Sequence, residues 1–415
     1  MTLKVYDTLS GQKEEFEPLE EGKVKMYVCG QTVYDYMHIG HGKTYIAFDI
    51  IRRYLEHKGY DVKTVINITD VNEKILNRAD EENVEYWDIV EEYSEINIDN
   101  FEEMGVNGDV YPKASEYIQE MIDMVQKLIE RGHAYEVDGD VFFDVRSFED
   151  YGKLSNQDID DLSSERDDII SSDKKKNQED FVLWRKKDVE PSWESPWGKG
   201  WPGWHIECSA MSVSVLGETI DIHGGGSDLV FPHHENEIAQ SEGCSGKEFA
   251  RYWMNSGLVR MGDDKMSKSL GNFVSTEELL DRHDPGVLRL MVASSHYRSE
   301  MTFSENKLEE SEKKLQRLKN TVSDLEAQLR EVDLVPDKYD VEDMKTLDDV
   351  IRLENEFENA MDDDFNTPEA LKHLMELSSE LQGYMERVDP KGPALKRGME
   401  TIKELGNIIG ILEDR

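Results

Sequence analysis

An α/β domain on a parallel sheet, interrupted by an insertion and followed by an α-helical bundle, is the architecture that this 415-residue sequence predicts. Three observations carry it. Residues 23–69 read as strand, helix, strand. A second sheet pattern resumes near residue 219, after an irregular polar stretch. Beyond residue 303, leucines recur at a seven-residue spacing.

The first strand is the mostly apolar run from Val24 to Cys29. Residues 30–42 form a loop with three glycines. Within 45–58, Ala47, Ile50, Ile51, Tyr54 and Leu55 line one helical face, and Gly59 suits a C′ stop. Residues 62–68 then read as a second buried strand. This βαβ unit implies parallel pairing and a right-handed crossover. Ligands on such sheets sit at the carboxyl ends of the strands. Cys29, Gly30 and Thr69 fall there.

Residues 107–199 look like an insertion, with a helix over 114–131, a hairpin pattern over 135–143 and a segment rich in Asp and Ser. The sheet returns at 219–222, and Gly224, Gly225 and Gly226 read as the turn into a new helix. Leu308, Leu315, Val322 and Leu329, with Leu318 and Leu325 between them, form the seam of a long amphipathic helix in a bundle. Residues 334–339, with Pro336, read as a linker, and Thr367 as the N-cap of a helix with Pro368 at N1.

Composition narrows the function. There is no run of about 18 apolar residues, so no membrane-spanning helix is expected. The first residues lack the apolar core of a signal peptide. Three cysteines do not make a disulfide framework, which points to a reducing, cytoplasmic compartment. With 48 Lys and Arg against 90 Asp and Glu, the net charge is −42. That argues against a nucleic-acid binder with a basic face. The acid is spread along the chain, however, as in proteins that stay soluble in molar salt. There the Debye length is about 3 Å and self-repulsion is screened. A halophilic cytosol is therefore expected.

Three groups of residues can carry chemistry. His38-Ile39-Gly40-His41 lies between the first strand and its helix. A helix start favours anions, imidazoles can donate to phosphate oxygens, and Gly40 allows close approach. Alone, the segment reads first as a polar loop that caps the helix. Lys265, Ser267, Lys268 and Ser269 occupy a polar loop that could close over a polyphosphate. Alone, this is equally a solvated basic loop. Cys29, Cys208, His233 and Glu237 offer two thiolates, an imidazole and a carboxylate, a donor set that suits Zn²⁺. Their separation in sequence leaves them equally readable as core cysteines and a polar helix start.

The first two motifs, in this order on a parallel-sheet framework, resemble the paired signatures of class I aminoacyl-tRNA synthetases. Almost the whole chain resembles the cysteinyl-tRNA synthetase family. The matching segments are 27–34 (YVCGQTVY), 67–70 (NITD), 181–184 (FVLW), 190–198 (EPSWESPWG), 203–211 (GWHIECSAM), 221–229 (DIHGGGSDL), 231–241 (FPHHENEIAQS) and 361–369 (MDDDFNTPE). The resemblance implies a Rossmann-type catalytic domain in two halves, 1–110 and 201–258, around a connective insertion, 111–200. A linking domain with the KMSKS loop, 259–304, and a tRNA-binding helical bundle, 305–415, would follow. It implies one zinc ion on Cys29, Cys208, His233 and Glu237, with His233 preferred over His234 by its i,i+4 relation to Glu237. Gly30, Thr69, Trp204 and His223 would surround the substrate cysteine. Gly40, Gly225, Asp228, Ser267 and Ser269 would bind ATP. His38, His41, Lys265 and Lys268, helped by Mg²⁺, would stabilise the phosphorus transition state. The implied reaction joins L-cysteine to tRNA(Cys) through a cysteinyl-adenylate, in a monomeric enzyme.

The sequence departs from the family pattern in places. Trp201 stands where Arg is usual, removing a cation near the expected site. Gly42-Lys43 replaces Ala-Arg. Lys174-Lys175-Lys176 and Arg185-Lys186-Lys187 are candidates for acceptor-stem phosphates or a solvated surface. The sequence also stops at Arg415, where the family continues into a small anticodon-reading domain, so that domain is expected to be missing. This raises a rival of the mycothiol-ligase type, which passes activated cysteine to an amino-sugar. A non-catalytic synthetase paralogue is a third reading, although the motif residues and zinc ligands are intact by type.

Overall fold

A computed structural model describes residues 2–159, 174–261, 264–265, 274–332, 341–387 and 390–412. An antiparallel pair, β1 (Lys4–Asp7) and β2 (Gln12–Glu15), precedes the unit β3 (Lys23–Val28), α1 (Ile39–His57) and β4 (Asp61–Ile66). Helices α2 (Glu73–Glu82), α3 (Tyr86–Met104) and α4 (Ile118–Glu130) follow. The insertion adds an antiparallel sheet of β5 (Ala134–Val137), β6 (Asp140–Phe143), β7 (Phe181–Lys186) and β8 (Gly200–Pro202). The chain then returns through α5 (Trp204–Leu216), β9 (Ile220–Gly226), α6 (Glu235–Ser245) and β10 (Ala250–Ser256).

The central sheet is parallel throughout, in the order β10-β9-β3-β4. From β3 the chain moves outward to β4, and β9 later settles on the other side of β3. The strand order thus reverses between β3 and β9, which opens a crevice at their carboxyl ends. Side chains on β3 alternate as the strand period requires. Val24, Met26 and Val28 join one core with α1, while Tyr27 and Cys29 join the opposite core with α4, α5 and α6.

Beyond the sheet, β11 (Val259–Met261), β12 (Asp264–Lys265) and β13 (Met301–Phe303) form a small sheet beside α7 (Thr276–Leu280) and α8 (Pro285–Ala293). Then come α9 (Glu305–Leu329), α10 (Val341–Met361), α11 (Thr367–Met385) and α12 (Gly392–Ile409). This bundle is fastened to the sheet domain by buried ions. Arg289 on α8 pairs with Asp49 of α1 at 2.5 Å, and donates to Ile409 O at 2.7 Å and Met104 O at 2.9 Å. Asp364 accepts from Tyr6 N, Tyr297 Oη and Arg298, and Asp362 accepts from Tyr54 Oη. The 361–369 motif is therefore a corner that joins the two halves.

Several element limits differ from the sequence reading. Helix α1 starts at Ile39 rather than near 45, because His38 caps it: its Nδ1 accepts from His41 N at 3.2 Å. The helix expected over 114–131 begins at Ile118, after a short 3₁₀ turn, and β4 ends at Ile66 rather than 68. Gly224, Gly225 and Gly226 belong to β9, not to a turn. Asn366, not Thr367, caps α11, its side chain accepting from Glu369 N. On α9, Leu308, Leu315, Leu318 and Leu325 are buried, but Val322 and Leu329 are half-buried while Ser311 and Thr321 are buried. Positions 308, 311, 315, 318 and 325 keep the seven-residue pattern of the seam, and the departure is Thr321, buried where Val322 is expected. The linker expected over 334–339 lies outside the described residues.

Candidate active site

The crevice between β3 and β9 opens into a cleft of about 480 Å³. Its wall includes Cys29, Gly30, His38, Gly40, His41, Trp204 and Asp228. Residues from four separated stretches of sequence thus meet at the carboxyl edge of the sheet. Gly30 is required by close approach: a Cβ there would stand 1.6 Å from Asn67 O. Its N–H donates to Asn67 Oδ1 at 2.7 Å, which fixes the chain as it leaves β3.

On one side of the cleft, the donor atoms of Cys29, Cys208, His233 and Glu237 all lie within 4.8 Å of one another, and all four residues are buried. Cys29 leaves β3, Cys208 sits on α5, and His233 and Glu237 flank the start of α6. Cys29 Sγ is 3.4 Å from Glu237 Oε1, and His233 Nε2 is 3.1 Å from the same oxygen. Tetrahedral zinc bonds of about 2.0–2.3 Å place ligand atoms about 3.3–3.8 Å apart, so this set fits the ion in chemistry and in span. Trp204 stands half-exposed over it, its ring 4.4 Å from that of His233.

The electrostatics are those of a buried, strongly coupled group. Burial pushes the Cys29 thiol up, and the hydrogen bond from Cys29 pulls Cys208 down. Burial opposes a charge on His233, but Glu237 and Cys208 outweigh it and raise His233 to about 10. Burial opposes the Glu237 carboxylate too, yet His223 and His233 hold it well below the ordinary range. A second quartet, Cys29, His223, His234 and Glu237, also lies within 4.8 Å. His223 Nε2 meets Glu237 Oε2 at 2.8 Å, so His223 is buried behind the carboxylate rather than on the cleft wall. Thr69 is likewise buried, its Oγ1 accepting from Asn67 Nδ2 at 3.1 Å.

On the other side, His38 and His41 stack at 3.6 Å with their planes 10° apart, at the start of α1. Lys43, one turn on, is fully buried. Its ammonium donates to Gly257 O at 2.5 Å, Ser299 O at 2.9 Å and Tyr297 O at 3.1 Å. This ties α1 to the end of β10 and to the segment entering β13. Gly225 lies in β9, where a Cβ would come 2.9 Å from His234 Nε2. Lys265 lies in β12, paired with Arg260, while Ser267, Lys268 and Ser269 lie outside the described residues.

Sequence reasoning passed over Lys74, Tyr34, Ser256 and Gly257, which also line the cleft. The last two follow β10, so the rule that ligands gather at strand ends could have found them. The basic runs are largely neutralised. Lys174 pairs with Asp140, Lys176 with Asp144, and Arg185 and Lys187 share Glu73. Trp201 is buried, and the Lys187 ammonium sits 3.8 Å above its ring. A cation is therefore present beside Trp201 after all.

Residues 15–313 match the family of tRNA synthetases class I (C) catalytic domain, and residues 356–413 match the DALR domain. The fold is shared with Mycobacterium tuberculosis methionyl-tRNA synthetase, 14% identical, at a TM-score of 0.68 over 94% of this chain and 90% of that one. Fold and cleft together define a class I aminoacyl-tRNA synthetase architecture. Closer relatives narrow it. The cysteine–tRNA ligase of Thermococcus onnurineus is 48% identical over 100% of this chain and 87% of its own length. That of Aquifex aeolicus is 48% identical over 100% of this chain and 85% of its own. The chain belongs to the cysteine–tRNA ligase family.

Proposed function

We propose that this enzyme activates L-cysteine with ATP and passes it to tRNA(Cys), using the buried quartet as a zinc site that selects the thiol. The observation that carries the reading is one of contiguity. Cys29 belongs both to the quartet and to the wall of the cleft that His38 and His41 enter. An amino acid anchored at the quartet would therefore lie beside a helix start suited to phosphate.

Cys29, Cys208, His233 and Glu237 would hold zinc, which would supply a soft Lewis acid suited to a thiolate and not to serine's hydroxyl. A hydrophobic pocket would separate the two by only about 1–3 kcal/mol. Trp204 closes over the side chain, and His223 braces Glu237 from behind. The cysteine carboxylate then attacks the α-phosphorus of ATP in line, forming cysteinyl-adenylate and releasing pyrophosphate. His38 and His41 present imidazoles to the transferring charge, and the α1 N-terminus adds its dipole. Lys265 and Lys268 would complete that charge, and Asp228 would take the ribose. A hydroxyl of the tRNA's terminal ribose then attacks the carbonyl carbon of the adenylate, forming the cysteinyl ester and releasing AMP. No protein nucleophile is needed; positioning and electrostatics supply the rate.

In this reading, 1–110 and 201–258 form the catalytic core, 111–200 the connective insertion, 259–304 the link, and 305–415 the tRNA-binding bundle of a cytoplasmic monomer. Among the described residues, no helix is long and apolar enough to cross a membrane. The charge of −42 fits work in molar salt, where bulk repulsion of tRNA is screened. One assay tests the whole. Purified protein is expected to exchange pyrophosphate only with cysteine, to charge tRNA(Cys), and to carry one zinc per chain. Exchange without charging would remove tRNA from the reading; activity at full rate without zinc would remove the metal. Charging that is lost below molar salt would support the halophilic setting, and unchanged charging would discard it.

A further inference from the structure

We infer that Glu235 is a positioning residue for the metal quartet, holding the ligand-bearing turn in place through a loop of the insertion. The inference rests on the quartet being a metal site. His233 closes a π-type turn, Val230–His234, that runs into α6. Phe231 within it is extended, at φ −134 and ψ 131. An extended residue there interrupts the series of helical backbone hydrogen bonds. The position of His233 therefore depends on what grips the junction.

Glu235 grips it. It lies two residues from each of His233 and Glu237, a spacing that turns it away from the face they share. It is 1% exposed. Its Oε1 accepts from Gly152 N at 2.9 Å, and its Oε2 from Leu154 N at 3.1 Å and Ser155 N at 2.8 Å. Charge-assisted bonds to a carboxylate are about twice as strong as neutral ones. The loop is shaped for this grip. Gly152 holds φ +96, and a Cβ there would stand 2.1 Å from Gln157 O. Two further bonds lay the loop along α6: Tyr151 Oη donates to Asn236 Oδ1, and Lys153 pairs with Glu242 at 2.6 Å. Glu235 and Asn236 both fall between the two ligands, and it is Glu235 that accepts the three backbone N–H groups of the loop.

The test uses the full chain with Glu235→Gln and, as a control on the same loop and helix, Lys153→Met. Cobalt(II) replaces zinc, so that thiolate-to-metal absorption reports the quartet directly. Partners that orient ligands are typically worth 10–100-fold in affinity, so E235Q is expected to weaken cobalt binding by about 10-fold or more and to alter the band. It should raise KM for cysteine by a similar factor while leaving KM for ATP within about two-fold. K153M should change neither. If E235Q does not fold, Gly152→Ala strains the same grip from the loop side and carries the same expectation. Native cobalt affinity and spectrum in E235Q overturns the inference, as does an equal loss in K153M, which would mean general loosening. A wild-type chain that takes up no metal overturns the zinc reading, and this inference with it.

Discussion

The two sides of the cleft are built on different plans. The thiol side is made of buried side chains from three elements, interlocked within 4.8 Å. The phosphate side is a helix start with two half-buried imidazoles. Under the proposed function, the difference follows from two tasks. Discriminating sulfur from oxygen needs fixed, desolvated donors, because only geometry and ligand softness separate the substrates. Stabilising a charge that appears transiently needs donors aimed at the transition state. Breaking the first side should therefore abolish selection, and breaking the second should slow chemistry while leaving cysteine binding intact.

Cys208→Ser gives the largest expected effect. It removes a soft ligand from a closed set, and a catalytic metal is worth several kcal/mol, so cysteine-dependent exchange should fall beyond about 10³-fold. Metal analysis should find the zinc lost, and far-UV circular dichroism should stay native. A variant that keeps both metal and activity would break the contrast at its root. His41→Asn should act differently. One aimed donor is worth about 10²-fold in rate, so kcat should fall by that factor while KM for cysteine stays within about two-fold. An increase in KM of the same size as the loss in kcat would mean that the two sides are not separable.

How much of this was legible in the sequence divides along the same line. The βαβ unit was visible because apolar periodicity and Gly59 mark it directly. The start of α1 was not. Gly40 and Gly42 signal a loop by composition, yet His38 supplies a cap that carries the helix through both. The glycines of β9 misled in the same way. They stay in the strand because other groups need their space, Phe48 against Gly224 and His234 against Gly225. The quartet could not be read from spacing alone, since 208 positions separate Cys29 from Glu237. Only the strand order, with β9 returning beside β3, closes that gap. His233 and His234 each form a quartet with Cys29 and Glu237, so the fold itself keeps both close to the same donors.

Lys43 tests the scaffold beneath the phosphate side. Burial draws its pKa down to about 8. In the unfolded chain an ordinary lysine titrates near 10.4. Between these values the unfolded state binds more protons, so stability rises with pH across the window; below pH 8 both states are charged and the contribution is constant. Lys43→Met leaves the carbonyls of Gly257, Tyr297 and Ser299 without this donor, a loss of about 2 kcal/mol at pH 7.5. Toward pH 10 the deficit should widen by up to about 3 kcal/mol, because only the wild type gains. Urea unfolding at the two pH values reads both quantities. A deficit that narrows as pH rises would reverse the sign of the argument.

Trp201 gives the smallest effect and tests what the departure from Arg costs. Its indole N–H donates to Pro191 O, and its ring carries the Lys187 ammonium, which also pairs with Glu73. Trp201→Phe keeps an aromatic face but weakens the cation contact and loses the indole donor, so about 1 kcal/mol of stability should go. Charging should change little, because the cation itself remains in place. A double-mutant cycle with Lys187→Met isolates the pair, with an expected coupling of about 0.5–1 kcal/mol. A coupling near zero would leave Lys187 as an ordinary partner of Glu73. The replacement would then have removed a cation from the insertion without an aromatic contact to hold another there.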